Sequence, residues 1–222
     1  VAPVGGVSAL YTTVSISGRT VTLVSEADAG SFSVGDKIAV VENRGLNQLV
    51  VVGKITAISG GVLSVDRFDG DTGAVSSPVT AGSGQVLLLS GSAVSFGSVS
   101  AATASVATGW ISVTSDVRSG YTVYAVADGR PRTTGGDDID PVTDGTVSLG
   151  AEEYGIEYIG SRAATSGDVA CTTTLLAVQS STNVSGTPAD RTAFSYKLSI
   201  NAAQTQAGTY SQAVSYTLTP NY

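Results

Sequence analysis

Carboxylates set the chemical possibilities of this chain, because it has no histidine and a single cysteine. Asp66, Asp69 and Asp71 crowd into the stretch Asp66-Arg-Phe-Asp-Gly-Asp71. Hard cations such as calcium favour oxygen clusters on adaptable backbone. The spacing is not that of an EF-hand loop, and a solvated turn in which Asp bonds to nearby backbone accounts for the same residues. Asp137, Asp138, Asp140 and Asp144, between Gly135 and Gly145, form a second cluster with the same two readings, so calcium stays open at both. Glu152, Glu153 and Glu157 are the candidates for a carboxylate pair that cleaves a glycosidic bond. Alternation in Tyr154-Gly-Ile-Glu-Tyr-Ile159 turns Glu157 away from Tyr154, Ile156 and Tyr158, toward solvent or an interface. No aromatic-lined cleft is signalled, so glycoside hydrolysis is set aside. No catalytic residue, cofactor or metal ligand is assigned, and the chain is expected not to be an enzyme.

Five other residue types invite chemistry. Trp110 and the nine tyrosines offer rings for stacking on sugars, although Trp110 directly precedes the alternating Ile111 and Val113 and therefore belongs in a core. Lys37, Lys54 and Lys197 raise an isopeptide cross-link to Asn or Asp; Lys197, on a strand with polar neighbours, is expected to face solvent. Cys171 is expected to be a small buried hydrophobe on a strand. One cysteine excludes an intrachain disulfide and a cysteine-based zinc site. Asn183-Val-Ser185 matches the N-glycosylation acceptor pattern, which recurs often by chance.

The elements that would position these residues are strands. Apolar residues alternate in short, β-branched runs bounded by Gly, Ser, Asn and Asp, and helical periodicity is missing almost everywhere. Val14 and Ile16, then Val21 and Leu23, flank a hairpin at Ser17-Gly-Arg-Thr20. Gly35-Asp36 opens a strand through Val41; Leu49 to Val52, Ile55 to Ile58 and Val62 to Val65 follow, the last two joined by Gly60-Gly61. A polar loop over 66–84 leads to the continuous apolar run Val86-Leu-Leu-Leu89, and Ser90-Gly-Ser92 is the natural boundary. Beyond it, strands are expected at Val99–Val106, Trp110–Val113, Tyr121–Val126, Val147–Leu149, Tyr154–Ile159, Cys171–Val178 and Phe194–Ile200. The chain closes on Gly208–Pro220, where Tyr210, Val214, Tyr216 and Leu218 alternate with Ser and Thr. The fold expected is all-β: a small N-terminal β-barrel or meander over 1–90, then an immunoglobulin-like or jelly-roll β-sandwich over 91–222.

Composition narrows the function. Charged residues make up 13% of the chain against an ordinary value of about 25%. The net charge is -7 and the eleven Lys and Arg are scattered singly, which excludes nucleic-acid binding through a basic patch. No run of about 20 apolar residues is present, so no helical membrane span is expected. Val1-Ala-Pro-Val-Gly-Gly6 does not read as a signal peptide and there is no initiating Met, which fits a product whose leader has been removed; a trimmed piece would look the same. Scarce cysteine with abundant Ser, Thr and Gly fits an extracellular setting.

Three stretches, "WISVTSDVRSGYTVYAVADG", "GAEEYGIEYIG" and "AGTYSQAVSYTLTPNY", together resemble β-sandwich domains of bacterial surface and fibre proteins, of the spore-coat-U, WxL-like and biofilm-matrix-fibre type. The resemblance covers residues 95–222; the Trp-x-Leu signature of the WxL family is absent, and no binding residue is carried over. It implies a secreted surface or matrix role, sometimes with one subunit's terminal strand completing the next subunit's sheet.

The function expected is an extracellular structural subunit of a filament, pilus-like fibre or surface layer that assembles with copies of itself. The uncharged Val1–Tyr11, whose Val4, Val7, Leu10 and Tyr11 lack an obvious partner, is the candidate donor strand; packing in its own domain is the other reading. The alternative function is a cell-surface or phage-appendage adhesion module that binds glycans.

Overall fold

β-branched and aromatic side chains fit a pleated, half-buried surface, and the runs that carry them form strands. The computed structural model describes residues 1–75 and 84–222. Its strands in the first part are β1 (Ala2–Val4), β2 (Val7–Ser17), β3 (Thr20–Leu23), β4 (Lys37–Glu42), β5 (Leu49–Ser59), β6 (Val62–Val65), β7 (Asp69–Gly70) and β8 (Gly84–Leu89). The second part contributes β9 (Ser105–Ser115), β10 (Tyr121–Ala127), β11 (Glu153–Ile159), β12 (Asp168–Val169), β13 (Leu176–Ser181), β14 (Ser185–Ser199) and β15 (Val214–Pro220). A short 3₁₀ helix at Glu26–Ser31 was not signalled by the sequence pattern. The chain is all-β, with several antiparallel sheets.

The first sheet runs β4-β8-β2-β3-β6-β5-β7, and β4 also pairs with β5, so the hydrogen bonding of the first six strands in this order returns on itself as a ring, with the two-residue β7 added on β5. Gly18 (φ 56°) and Gly60 (φ 57°) supply the left-handed backbone that its two tight hairpins need. Ile16, Val21, Ile38, Val51, Leu63 and Val86 fill the inside of the ring, with Phe32 held against Tyr11 at a centroid distance of 4.9 Å.

Two further sheets stack beside it. One has the order β1-β9-β14-β11-β12, the other β13-β10-β15. Ile111, Val113, Ile156 and Phe194 of the five-stranded sheet meet Tyr121, Val123, Ala125 and Val178 of the three-stranded one in a shared core. The opposite face of the five-stranded sheet presents Trp110, Ile159 and Ala193 to Ala39, Val41, Val50, Val52, Leu87 and Leu89 on the outside of the ring. Strands β4, β5 and β8 are thus apolar on both faces, which is why Ile38–Val41, Val50–Val52 and Val86–Leu89 read as continuous rather than alternating runs.

Several boundaries differ from the sequence reading. Residues 99–104 do not form the expected strand, which starts at Ser105. Val147–Leu149 lies in a loop, and the final strand is only Val214–Pro220. Leu49–Val52 and Ile55–Ile58 are one strand whose register shifts between Ile55 and Ala57. The Ser/Pro/Gly run 76–83 and the side chains of Val7 and Val14 lie outside the described residues. The first ten residues do have partners: β1 pairs with Trp110–Ser112 of β9, and β2 pairs with β8 and β3.

Candidate functional site

Strand β14 is the axis of the polar chemistry. Its segment Arg191-Thr-Ala-Phe-Ser-Tyr-Lys-Leu198 alternates; Phe194 packs toward the three-stranded sheet, while Arg191, Ala193, Ser195 and Lys197 share the face turned to the ring. Each polar member of that buried face finds a partner in another element. Gln48, itself buried, donates from Nε2 to Ser195 Oγ at 2.7 Å and to Thr108 Oγ1 at 2.9 Å.

At one end of the face, Arg191 Nη1 donates to Asp66 Oδ1 at 2.9 Å, Nη2 bonds Asp66 Oδ2, and Asp69 lies 3.6 Å from Nη1. Arg67 Nε completes the group with Asp69 at 2.7 Å. Burial alone would raise the Asp66 carboxyl, but the Arg191 bond and the backbone N–H groups of Lys54 and Arg67 bring it down to about 2. The guanidinium also covers the Trp110 ring at 4.7 Å. Trp110 is 2% exposed, so it has no free face for a sugar and cannot serve as the stacking residue of a glycan site.

At the other end lies the main correction to the sequence reading. Lys197 does not face solvent: its side chain is 7% exposed and Nζ lies 2.8 Å from both Glu157 Oε2 and Asp168 Oδ1. Polar neighbours along the strand suggested water, whereas the polar face is covered by other elements. Burial disfavours the ammonium, but the two carboxylates outweigh it and hold Lys197 above its ordinary range. Nearby, Asp71 Oδ2 accepts the Val50 N–H at 2.8 Å; burial pushes its carboxyl up, that bond opposes the shift and the Glu157 charge adds to it.

The remaining candidates are not brought into a reactive arrangement. Arg130 Nη1 spans Asp138 at 3.3 Å and Asp140 at 2.6 Å, and Asp137 Oδ2 accepts from Thr133 Oγ1 at 3.3 Å, all in an exposed loop. Asp144 caps the Thr146 N–H at 3.1 Å. Among the described residues, no three or more Asp, Glu or Cys are grouped to hold a metal ion. Glu153 and Glu157 stand four positions apart on β11, about 13 Å at the usual rise per residue, beyond the separation glycosidases use. Glu152 is half-buried beside them. Lys37 and Lys54 face each other across β4 and β5. Cys171 is fully buried as expected but follows β12 in a loop, its carbonyl accepting from Tyr154 Oη at 2.8 Å. Asn183 sits exposed in the turn between β13 and β14.

A second feature is an edge rather than a residue cluster. The loop at 162–164 covers the outer side of β13 by bonding Val178 and Ser180, and β1 covers part of β9. Strand β15 pairs with β10 on one side, and among the described residues no strand pairs with its other side. Its sequence, Val-Ser-Tyr-Thr-Leu-Thr-Pro, carries no charge. Beside it lies a groove of about 530 Å³ lined by Phe96, Phe194, Tyr196, Leu198, Val214 and Tyr216, with Pro3 and Gly5 at its rim. The two chain ends therefore pair into different sheets while bordering the same groove.

Comparison with known proteins gives no match: no family profile fits the chain, and no curated protein or solved structure aligns with it. Among the described residues no helix is long and apolar enough to cross a membrane.

Proposed function

We propose that this chain is a non-enzymatic extracellular structural subunit of a filament, pilus-like fibre or surface layer, assembling with copies of itself through β-rich contacts. Residues 1–90 and 91–222 are its two β units, except that β1 pairs into the sheet of the second; the first is a small barrel built on the six-strand ring, the second an immunoglobulin-like or jelly-roll sandwich. The observation that carries the reading is the free side of β15. Sheet edges of soluble proteins are normally shortened, covered or charged to prevent pairing. Here β13 is covered and β9 partly so, yet among the described residues no strand pairs with the outer side of the seven-residue, uncharged β15, and an apolar groove lies beside it. A sparsely charged surface also lets copies approach with little repulsion.

An open-ended polymer needs a heterologous contact, because two β15 edges meeting each other would close a dimer. The N-terminal segment is the complementary piece: uncharged, held in its own chain by three residue pairs on β9, and bordering the same groove. Strand donation would move it onto a neighbour. Electron microscopy of the protein in its native setting should show regular fibres or a lattice; isolated particles alone would overturn the polymer reading. Removing residues 1–4, which leaves β2 intact, should yield folded monomers, and unchanged fibres would refute donation while sparing assembly through β15.

A further inference from the structure

We infer that Lys197 and Asp168 form an intramolecular isopeptide bond, with Glu157 carrying the protons. The proposal is independent of any assembly. Three strands deliver the groups: Lys197 from β14, Glu157 from β11 and Asp168 from β12, with Glu157 and Asp168 directly opposed in register. Lys197 is opposed by Gly155, where a Cβ would press at 2.9 Å on Val142, at 3.0 Å on the Asp168 Cβ and at 3.1 Å on Val147. A residue without a side chain is what lets the lysine stem and the aspartate meet. Val142 and Val147, both buried, shield the place from water.

The two carboxylates are not equivalent. Glu157 accepts a directed hydrogen bond from Nζ at 2.8 Å and keeps a side chain that is 34% exposed, in touch with solvent. Asp168 is 4% exposed at its side chain. Its Oδ2 accepts the Val147 N–H at 2.8 Å, while Oδ1 lies 2.8 Å from Nζ in a close ion pair. The amine therefore lies against the carboxyl group of Asp168, and the backbone N–H stands ready to stabilise charge on Oδ2 as the carbonyl is attacked. Contact held at this range in a closed site replaces a bimolecular encounter.

The step balances without a co-reactant. Glu157 relays a proton from the Lys197 ammonium to Asp168 Oδ1, leaving a free amine beside a neutral carboxyl group, and the amine adds to Asp168 Cγ, forming the Nζ–Cγ bond. A second proton leaving nitrogen passes through Glu157 to the Oδ1 hydroxyl, the Cγ–Oδ1 bond breaks, and water departs. Ammonium and carboxylate become amide and water, and charge is conserved. The product staples β12 to β14 across β11, closing a loop that the unfolded chain could not open.

Intact mass spectrometry of the purified, folded chain, before and after prolonged incubation, tests the bond. A species lighter by one water that persists in denaturant, and a branched peptide joining Lys197 to Asp168 after digestion, are expected. Glu157→Gln should fold and keep the full mass, and Asp168→Asn should lose ammonia instead of water. Lys197→Arg, which preserves the cation but cannot form the amide, should also keep the full mass. Full mass in the unaltered chain, with folding verified by near-ultraviolet circular dichroism, would overturn the proposal. So would water loss in Lys197→Arg, because it would place the dehydration elsewhere.

Discussion

The guanidinium of Arg191 lies 4.7 Å from the centroid of the Trp110 ring while its nitrogens hold Asp66. Ala193 opposes Trp110 across β14 and β9, so Arg191 is the diagonal neighbour on the same face. This one side chain ties the loop after β6 to the middle sheet and covers the largest apolar residue between them. Arg191→Ala should remove both contacts and leave Asp66, at 26% exposure, without its cation. Breaking a largely buried pair costs about 3 kcal/mol. Urea denaturation followed by Trp110 fluorescence measures the loss directly, because the chain has one tryptophan. A midpoint unchanged by the substitution would show that the pair adds nothing.

Acid should weaken the same contact. The Asp66 carboxyl is lowered to about 2, against an unfolded value near 3.9. Folding then binds fewer protons to Asp66 than the unfolded chain does, so its contribution is complete above about pH 4 and fades as pH falls toward 2. Equilibrium stability, measured across that window in the parent and in Asp66→Asn, should fall more steeply with acidity in the parent. Parallel curves would remove Asp66 as the titrating group.

The Arg191–Lys197 face also shows what a sequence can convey. Alternation in Arg191-Thr-Ala-Phe-Ser-Tyr-Lys-Leu198 identifies a strand with two unlike faces, and the hairpins at Gly18 and Gly60 follow from backbone chemistry alone. Alternation does not say which face meets water. In a strand enclosed by layers on both sides, the polar face pairs with distant partners such as Gln48, Asp66 and Asp168, and that pairing is non-local. Continuous apolar runs were the available sign of layers on both sides, present in Ile38–Val41 and Val86–Leu89. The free side of β15 depends on strand order, which the alternation of its seven residues cannot convey.

Cys171 provides a probe of opening. Burial raises its thiol to about 11, so almost no thiolate is present near pH 8 and none is accessible. Iodoacetamide should label the folded chain far more slowly than a denatured one, and the rate should rise in step with denaturant. Because the folded thiol titrates above its unfolded value near 8.5, its stabilising effect is complete below that pH and declines as pH rises toward 11. Labelling at the rate of an exposed thiol would show that this core opens without global unfolding.

Gly109 decides whether the N-terminal strand stays in its own chain. A Cβ there would collide with the Val4 carbonyl oxygen and the Phe194 ring, and would sit 2.8 Å from Gly5 Cα. The chain crosses β9 at this point because position 109 has no side chain, and β1 pairs immediately beside it, Val4 against Trp110. Gly109→Ala should push the segment outward at a cost of about 1–3 kcal/mol, the range for overpacking a filled site. Limited proteolysis should then cut within residues 1–6 while β2, anchored between β8 and β3, stays protected. If strand donation onto β15 operates, termini released by the same substitution should be freer to pair with a neighbour's β15, and assembly should rise. Assembly that falls instead would place the acceptor on β9, where the added methyl also excludes an incoming strand.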